Sequence, residues 1–306
     1  MKVSTSSAAD DPGSGRSGPL RGGRLRRFRG AVLEWYGPRA RPLRIRATRE
    51  PWAILVSEVM AQQTQISRVD QAWVTFMRRY PTPRALAQAP TAEVLRAWAG
   101  LGYNRRALNL QRAAATIEAE HGGRVPADVA TLETLPGIGP YTARAVAAIA
   151  FGQHVAAVDT NVRRVVERVV GEPLAPRARQ AEADAWVDRD DPATWTHASM
   201  ELGATVCTSR QPRCDRCPVA AWCASAGQVE TAVRTSRQRV PFERTTRWLR
   251  GRIIERLRDA DDGAWERLPG SIGGHDGAAV AAAVESLERD GLLECGPDGA
   301  VRLPSG

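Results

Sequence analysis

The sequence predicts a mostly α-helical chain that ends in a small helix–helix–hairpin module. Three observations carry that prediction. From Leu25 to about Cys223, apolar residues recur at helical spacing in segment after segment. Pro51, Pro81, Pro90, Pro126 and Pro136 punctuate those segments. No long alternating strand pattern accompanies them.

Taken in order, residues 1–24 are rich in Ser, Gly, Pro and Arg, without apolar periodicity, and read as a disordered tail. Asp10 and Asp11 weigh against an organelle transit peptide. Helical spacing then runs through Leu25–Tyr36, Ala53–Ala61, Gln65–Tyr80, Thr91–Ala99, Arg105–His121, Tyr141–Phe151 and Asn161–Val170. Residues 226–245 are polar and read as a linker. Beyond them, Arg247–Ala260 and Ala278–Asp290 predict two helices. Leu292–Cys295 and Ala300–Leu303, around Pro297-Asp298-Gly299, predict a β-hairpin. That order resembles a small winged-helix module; the plainer reading is a packing appendage.

The length of 306 residues suggests two domains, or three small ones. With 43% hydrophobic and 25% charged residues, whole-chain disorder is excluded and a sizeable core is affordable. No apolar run reaches the ~20 residues of a membrane span, and no signal-peptide segment opens the chain. A net charge of +9 points to an anionic partner, nucleic acid ahead of a membrane surface. Lys2 is the only lysine, so the predicted folded body has no lysine amine.

Cys207, Cys214, Cys217 and Cys223 form C-x6-C-x2-C-x5-C, enough soft thiolates for one metal centre. On ligand count zinc and [4Fe–4S] compete, and a disulfide pair is the bland alternative. The spacing departs from the paired C-x2-C units of common zinc sites. Arg210, Arg213 and Arg216 make the loop basic enough for phosphate contact, while Cys295 stands apart as a buried or free thiol. Leu135-Pro136-Gly137-Ile138-Gly139-Pro140-Tyr141 opens a helix, where exposed backbone N–H groups favour a phosphate oxygen. Its plainer reading is an ordinary helix connection. Glu58 lies in an otherwise apolar stretch, where burial lets a carboxyl keep its proton near neutral pH. Its alternative is one face of an amphipathic surface helix. Asp159 precedes a helix, and locally an N-cap is the better reading.

Taken together, SEVMAQQTQ, GLGYNRRALNL, LPGIGPYTA, VDTNVRRV, MELGATVC and the cysteine loop, in this order over residues 25–225, resemble the helix–hairpin–helix DNA glycosylase superfamily. Within it the chain is most similar to adenine DNA glycosylases of the MutY type, which remove adenine opposite 8-oxoguanine or guanine. The resemblance implies a six-helix barrel over about 50–158. It implies an iron–sulfur module from about 25–49 plus 159–225, with the active site in the cleft between them. The segments 226–245 and 246–306 are then linker and winged-helix-like module. Because the chain leaves the iron–sulfur module and returns, Leu25–Tyr36 should pack near the cluster. The cofactor implied is [4Fe–4S] on the four cysteines.

The same resemblance implies the site. Glu58 protonates adenine N7 and Asp159 stabilises the positive sugar, while Asn161 orients the sugar-side chemistry and Tyr141 stands close to both acids. Gln63 and Tyr103 enter the duplex beside the opposite purine; a helix-surface amide and a core aromatic are their plainer readings. Arg46 contacts the base pocket, Thr64 and Leu101 the lesion side, and Gly137 and Gly139 a phosphate. Lyase relatives form a Schiff base with a lysine two residues after the hairpin's last glycine. Tyr141 stands there here, so a monofunctional glycosylase is expected.

The chain also departs from the pattern. Leu43-Arg44-Ile45-Arg46 keeps an arginine where many relatives have Leu-Pro-Trp-Arg, but loses the tryptophan. His197 replaces a Glu or Gln offered to the flipped base, or is simply a packed helix residue. About 80 residues follow Cys223, too few for the nucleotide-hydrolase-like domain that helps relatives read 8-oxoguanine. Preference for 8-oxoguanine over guanine therefore stays open. The expected partner is mismatched double-stranded DNA, without membrane contact. The protein is expected to be a monomer in the cytoplasm, associated with the bacterial nucleoid. The alternatives are a mismatch-specific thymine or uracil glycosylase and a non-catalytic iron–sulfur DNA-binding protein.

Overall fold

A computed structural model describes residues 20–228, 240–296 and 298–305; the predicted tail through residue 19, most of the linker and Pro297 lie outside the described residues. In chain order the helices are α1 Gly22–Tyr36, α2 Pro51–Ala61, α3 Ile66–Arg79, α4 Pro83–Ala87, α5 Thr91–Ala97 and α6 Arg105–His121. They continue with α7 Val129–Thr134, α8 Pro140–Phe151, α9 Thr160–Val170, α10 Pro176–Trp186 and α11 Pro192–Thr205. The last two are α12 Thr246–Asp259 and α13 Gly277–Arg289, followed by β1 Glu294–Cys295 and β2 Val301–Arg302. The strands pair antiparallel, Glu294 opposite Arg302 and Cys295 opposite Val301, and Glu266 bridges to Val301 from the other side.

The mostly helical fold is as the sequence predicts, although α4, α7, α10 and α11 fall outside the segments with predicted helical spacing, and two further local differences stand out. Several prolines start helices rather than merely separating them: Pro51, Pro83, Pro176 and Pro192 stand in the first turn, where a missing N–H costs nothing. Side chains of Glu50, Thr82 and Asp191 cap three of those starts. The second difference lies at the tail's end. Helix α1 begins at Gly22, Leu20 is only 2% exposed, and Arg21 holds Glu182 through two hydrogen bonds of 3.1 and 2.9 Å. Single anchors of this kind leave no periodic trace in a sequence.

The described residues fall into two compact units. The first takes the chain up to Arg41 and again from Ala147 to the residues before the linker; the second takes Pro42–Val146 and the C-terminal segment. In the first unit α1 packs on α11, and α9 packs on α10 and α11. Phe28, 1% exposed, lies at its centre, with ring centroids 5.0 Å from Trp186, 6.2 Å from Trp195 and 6.3 Å from Trp222. Cys207, Cys217 and Cys223 pack against this same core, so the N-terminal helix does lie beside the cysteine loop. Arg41 grips the buried Glu201 of α11 with bonds of 2.6 and 2.8 Å.

In the second unit α6 packs on α4, α5 and α2 around Trp52, Phe76, Trp98 and Leu110. The C-terminal helices form their own apolar layer, with Leu249, Ile253, Leu257 and Leu287 buried, yet they belong to this unit. Helix α12 meets α5, where Arg258 donates to the Leu95 carbonyl and to Asn104 Oδ1, both at 2.8 Å. Burial lowers the Arg258 guanidinium to about 10. Arg96 pairs with Asp262 at 2.7 Å, and the Ala92 N–H reaches the Pro304 carbonyl at 3.2 Å. Truncating Phe28 removes the hub of the first unit's core. Phe28→Ala should cost about 3–5 kcal/mol, read as a lower midpoint in denaturant unfolding.

Candidate active site

Helix α2 is apolar nearly all round and is correspondingly buried from Trp52 to Met60, with Glu58 half-buried among these residues. The surface-helix reading of Glu58 is therefore corrected. Glu58 accepts a hydrogen bond from the Tyr141 hydroxyl, Oε2 at 3.1 Å. The hairpin between α7 and α8 places Tyr141 there. Gly137 makes its turn at φ +79°, with Asn109 packed so closely that a Cβ would lie 2.7 Å from the Asn109 Cβ. Gln62, at the end of α2, donates to the Gly137 carbonyl at 3.3 Å and to Thr142 Oγ1 at 3.2 Å. The acid's helix and the hairpin are thus tied together on both sides of Glu58.

Gln63 and Tyr103 are the only non-glycine residues in the left-handed backbone region among the described residues, at φ +57° and +47°. Such a conformation costs about 1–3 kcal/mol and persists only where the surroundings enforce it. Neither plainer reading survives. Gln63 lies in the turn beyond α2 rather than on it, and Tyr103 is 40% exposed rather than core. Arg106 enforces both turns. Its Nη1 donates to the Val59 and Met60 carbonyls at 2.8 Å. Its Nη2 donates to Thr64 Oγ1 at 2.9 Å and to the Leu101 and Gly102 carbonyls at 3.0 and 3.1 Å. Burial lowers this guanidinium to about 10. Thr64 donates to the Leu101 carbonyl at 3.2 Å, and the Leu101 side chain is only 3% exposed. Leu101 thus supports the loop from beneath.

In the first unit Asp159 is the N-cap of α9, as its local sequence indicates. Its Oδ1 accepts from the backbone of Asn161 at 2.9 Å and of Val162 at 2.7 Å, and its Oδ2 from Asn161 Nδ2 at 2.8 Å. A carboxylate so held is an acceptor with unused lone pairs in a fixed direction. Arg164 extends the network: it donates to Asn161 Oδ1 at 2.9 Å, the Gly203 carbonyl at 2.6 Å and the Cys207 carbonyl at 2.7 Å. Gly203 lets α11 approach, since a Cβ there would lie 2.6 Å from the Asn161 Cβ and 2.9 Å from backbone atoms. The glycine of MELGATVC is therefore a close-approach residue for the aspartate's turn.

The four loop cysteines are half-buried and form no disulfide. Burial and the neighbouring sulfurs push Cys217 up to about 11. Arg168 donates to Cys207 Sγ at 3.3 Å and to the Thr208 carbonyl at 2.7 Å, and the Cys223 thiol reaches the Arg168 carbonyl at 3.3 Å. Among the described residues no three His, Cys, Asp or Glu side chains converge as a single-ion site does. Four thiols on one short loop supply the all-sulfur donor set that an iron–sulfur cluster takes, as a zinc ion also can. Arg210, Arg213 and Arg216 are exposed on this loop. Cys295 is an exposed thiol on β1, pushed up by desolvation and by Glu288.

Arg46 is half-buried in the short turn Arg44–Arg46, where Asp70 takes the Arg44 side chain at 3.0 Å and the Ile45 N–H at 3.1 Å. Ile45, where relatives carry a tryptophan, is 7% exposed. His197 is half-buried in mid-α11, and Gly139 opens α8 with free space at its Cα. Sequence reading missed Gln62, Arg106 and Arg164. Each sits inside a motif already singled out, but only its carbonyl partners show its purpose.

Residues 56–188 match the HhH-GPD superfamily of base excision DNA repair proteins, and residues 207–223, first cysteine to last, match the iron–sulfur binding domain of endonuclease III. The chain is 43% identical over 290 residues to the adenine DNA glycosylase of Mycobacterium tuberculosis, covering 89% of this chain and 92% of that one. Among solved structures, a thermostable thymine-DNA glycosylase aligns at TM-score 0.64 with 27% identity, over 67% of this chain and 97% of its own. An endonuclease III–DNA covalent intermediate shares the fold at TM-score 0.57 with 24% identity, over 66% and 96%. With its cysteine loop matching the iron–sulfur domain from end to end, this chain belongs to the adenine DNA glycosylase family of the HhH-GPD superfamily and carries that family's [4Fe–4S] cofactor.

Proposed function

We propose that this protein hydrolyses the N-glycosidic bond of adenine paired with 8-oxoguanine or guanine in duplex DNA. The observation that carries the reading is the Glu58 carboxyl held by Tyr141 at 3.1 Å, a phenol standing where lyase relatives have their lysine. An extruded adenine would take its proton at N7 from Glu58, which makes the base a neutral leaving group; such general acid catalysis is worth ~10²–10⁴-fold. As the bond breaks, positive charge grows on the sugar. Asp159, oriented by its N-cap bonds and by Asn161, would stabilise that charge electrostatically. Water then completes the hydrolysis at the anomeric carbon. Tyr141 would hold the Glu58 carboxyl toward the base.

On the opposite strand, Gln63 and Tyr103 would enter the duplex from their strained turns, Gln63 offering donor and acceptor to a base edge and Tyr103 a stacking face. Arg46 and Thr64 would line the pocket and lesion side, and the hairpin N–H groups at Gly137 and Gly139 would meet a phosphate. Cys207, Cys214, Cys217 and Cys223 would hold the [4Fe–4S] cluster, which when bound supplies a rigid charged centre for the basic loop. Leu101 would stand on the lesion side with Thr64, whose hydroxyl bonds its carbonyl.

Single-turnover assays on A:8-oxoguanine, A:G, T:G and U:G duplexes test the reading. Adenine release from the first two is expected; release only from T:G or U:G would replace it with thymine or uracil excision, the activity that the thymine-DNA glycosylase likeness keeps in view. Glu58→Gln and Asp159→Asn should each slow release at least ~10²-fold while duplex binding persists. Borohydride should trap no covalent adduct during turnover, because no lysine stands in the hairpin. Cys217→Ser should bleach the broad violet absorption of the cluster and lower the folded fraction; a colourless wild type containing zinc would contradict the cofactor assignment. Duplex affinity should fall steeply and linearly in log–log salt plots.

A further inference from the structure

The C-terminal module reaches the residue that the proposed function sends into the duplex. Arg247, exposed on the first turn of α12, donates a short hydrogen bond from Nη1 to the Tyr103 hydroxyl. Its guanidinium carbon lies 5.0 Å from the Tyr103 ring centroid and 5.0 Å from that of Phe242. Arg106 lies against Tyr103 too, at 5.6 Å. The exposed ring is therefore held by two guanidinium groups, one from the barrel's own α6 and one from the C-terminal module. Around it runs a groove of about 1240 Å³, lined among others by Gln63, Thr64, Arg68, Arg247 and Arg252. No carboxylate pairs with Arg247 among the described residues, so its contacts are spent on the two rings and the phenol.

From this geometry we infer that Arg247 is a positioning residue that sets the ring of Tyr103 before DNA arrives. The C-terminal module thereby controls the residue that probes the opposite strand, without itself reading a base. The inference rests on the proposed duplex-entering role of Tyr103. The physical case is one of side-chain freedom. A 40% exposed tyrosine on a left-handed turn has rotamers to sample, and freezing one on binding weakens affinity. Anchoring the hydroxyl while stacking a planar cation on the ring removes that freedom in the free protein, which lysine could not do equally well.

The test uses the full-length protein with its cluster and a duplex carrying an abasic analogue opposite 8-oxoguanine, which is not cleaved. Arg247→Ala should weaken binding by roughly 3- to 10-fold in the wild-type background. It should cost nothing further once Tyr103→Ala is present, and it should leave the salt slope unchanged. Equal losses in both backgrounds, with a slope reduced by about one, would make Arg247 a phosphate contact and overturn the inference. No loss in either background would overturn it as well. A second measurement needs no DNA. With 3-fluorotyrosine at the four tyrosines, the Tyr103 fluorine resonance, assigned by Tyr103→Phe, should shift and narrow in Arg247→Ala while the other three stay in place. An unmoved Tyr103 resonance sinks the inference. If the wild type releases no adenine from any pair, the proposed function fails instead, and the fluorine result still decides whether Arg247 holds Tyr103.

Discussion

The second unit is organised around one half-buried cation. Arg106 takes the last carbonyls of α2, the Thr64 hydroxyl and the carbonyls of Leu101 and Gly102 at once. A guanidinium suits the task because its donors fan out in a plane, and carbonyl partners let it stay charged although burial brings it to about 10. The carbonyl end of α2 carries partial negative charge that the cation offsets. The helix that presents Glu58 and the loop that presents Tyr103 therefore share one anchor. Both strained backbone positions, Gln63 and Tyr103, lie within the segments it grips.

In the first unit the corresponding device is Arg164, which links Asn161, the Gly203 carbonyl and the Cys207 carbonyl. The turn that orients Asp159 is thus mechanically connected to the start of the cysteine loop. A cluster bound on that loop would stiffen the aspartate's surroundings as well as its own. The segments carrying Glu58 and Asp159 are each held by an arginine, and each arginine works mainly on main-chain oxygens. Main-chain carbonyls serve any sequence, which explains how such anchors stay hidden in motif reading.

The C-terminal segment changes meaning between sequence and structure. On paper it is a separate helix–helix–hairpin module beyond a polar linker. In space α12 docks on α5 through the half-buried Arg258, and Arg247 reaches Tyr103. Low contact in sequence says nothing about contact in space, and the arginines that make the junction look like any others in a chain with Lys2 as its single lysine.

Helical spacing was sufficient for the fold class, and the six motifs in order with the four cysteines for the family resemblance, which in turn implied the cofactor, because periodicity and motif order are properties of the chain itself. Glu58, Tyr141 and Asp159 could be named from their motifs, and the missing hairpin lysine was legible in composition alone. Tertiary structure decided what those residues touch. Tyr141 bonds Glu58 across a long stretch of chain, Gln63 and Tyr103 are held in left-handed turns, and the Leu101 side chain is buried beneath its loop. The same holds for Gly203, whose lack of a side chain matters only because Asn161 packs against it. These are many-body facts: a hydrogen bond or a close approach is set by where two distant segments meet, and no spacing within one segment encodes it.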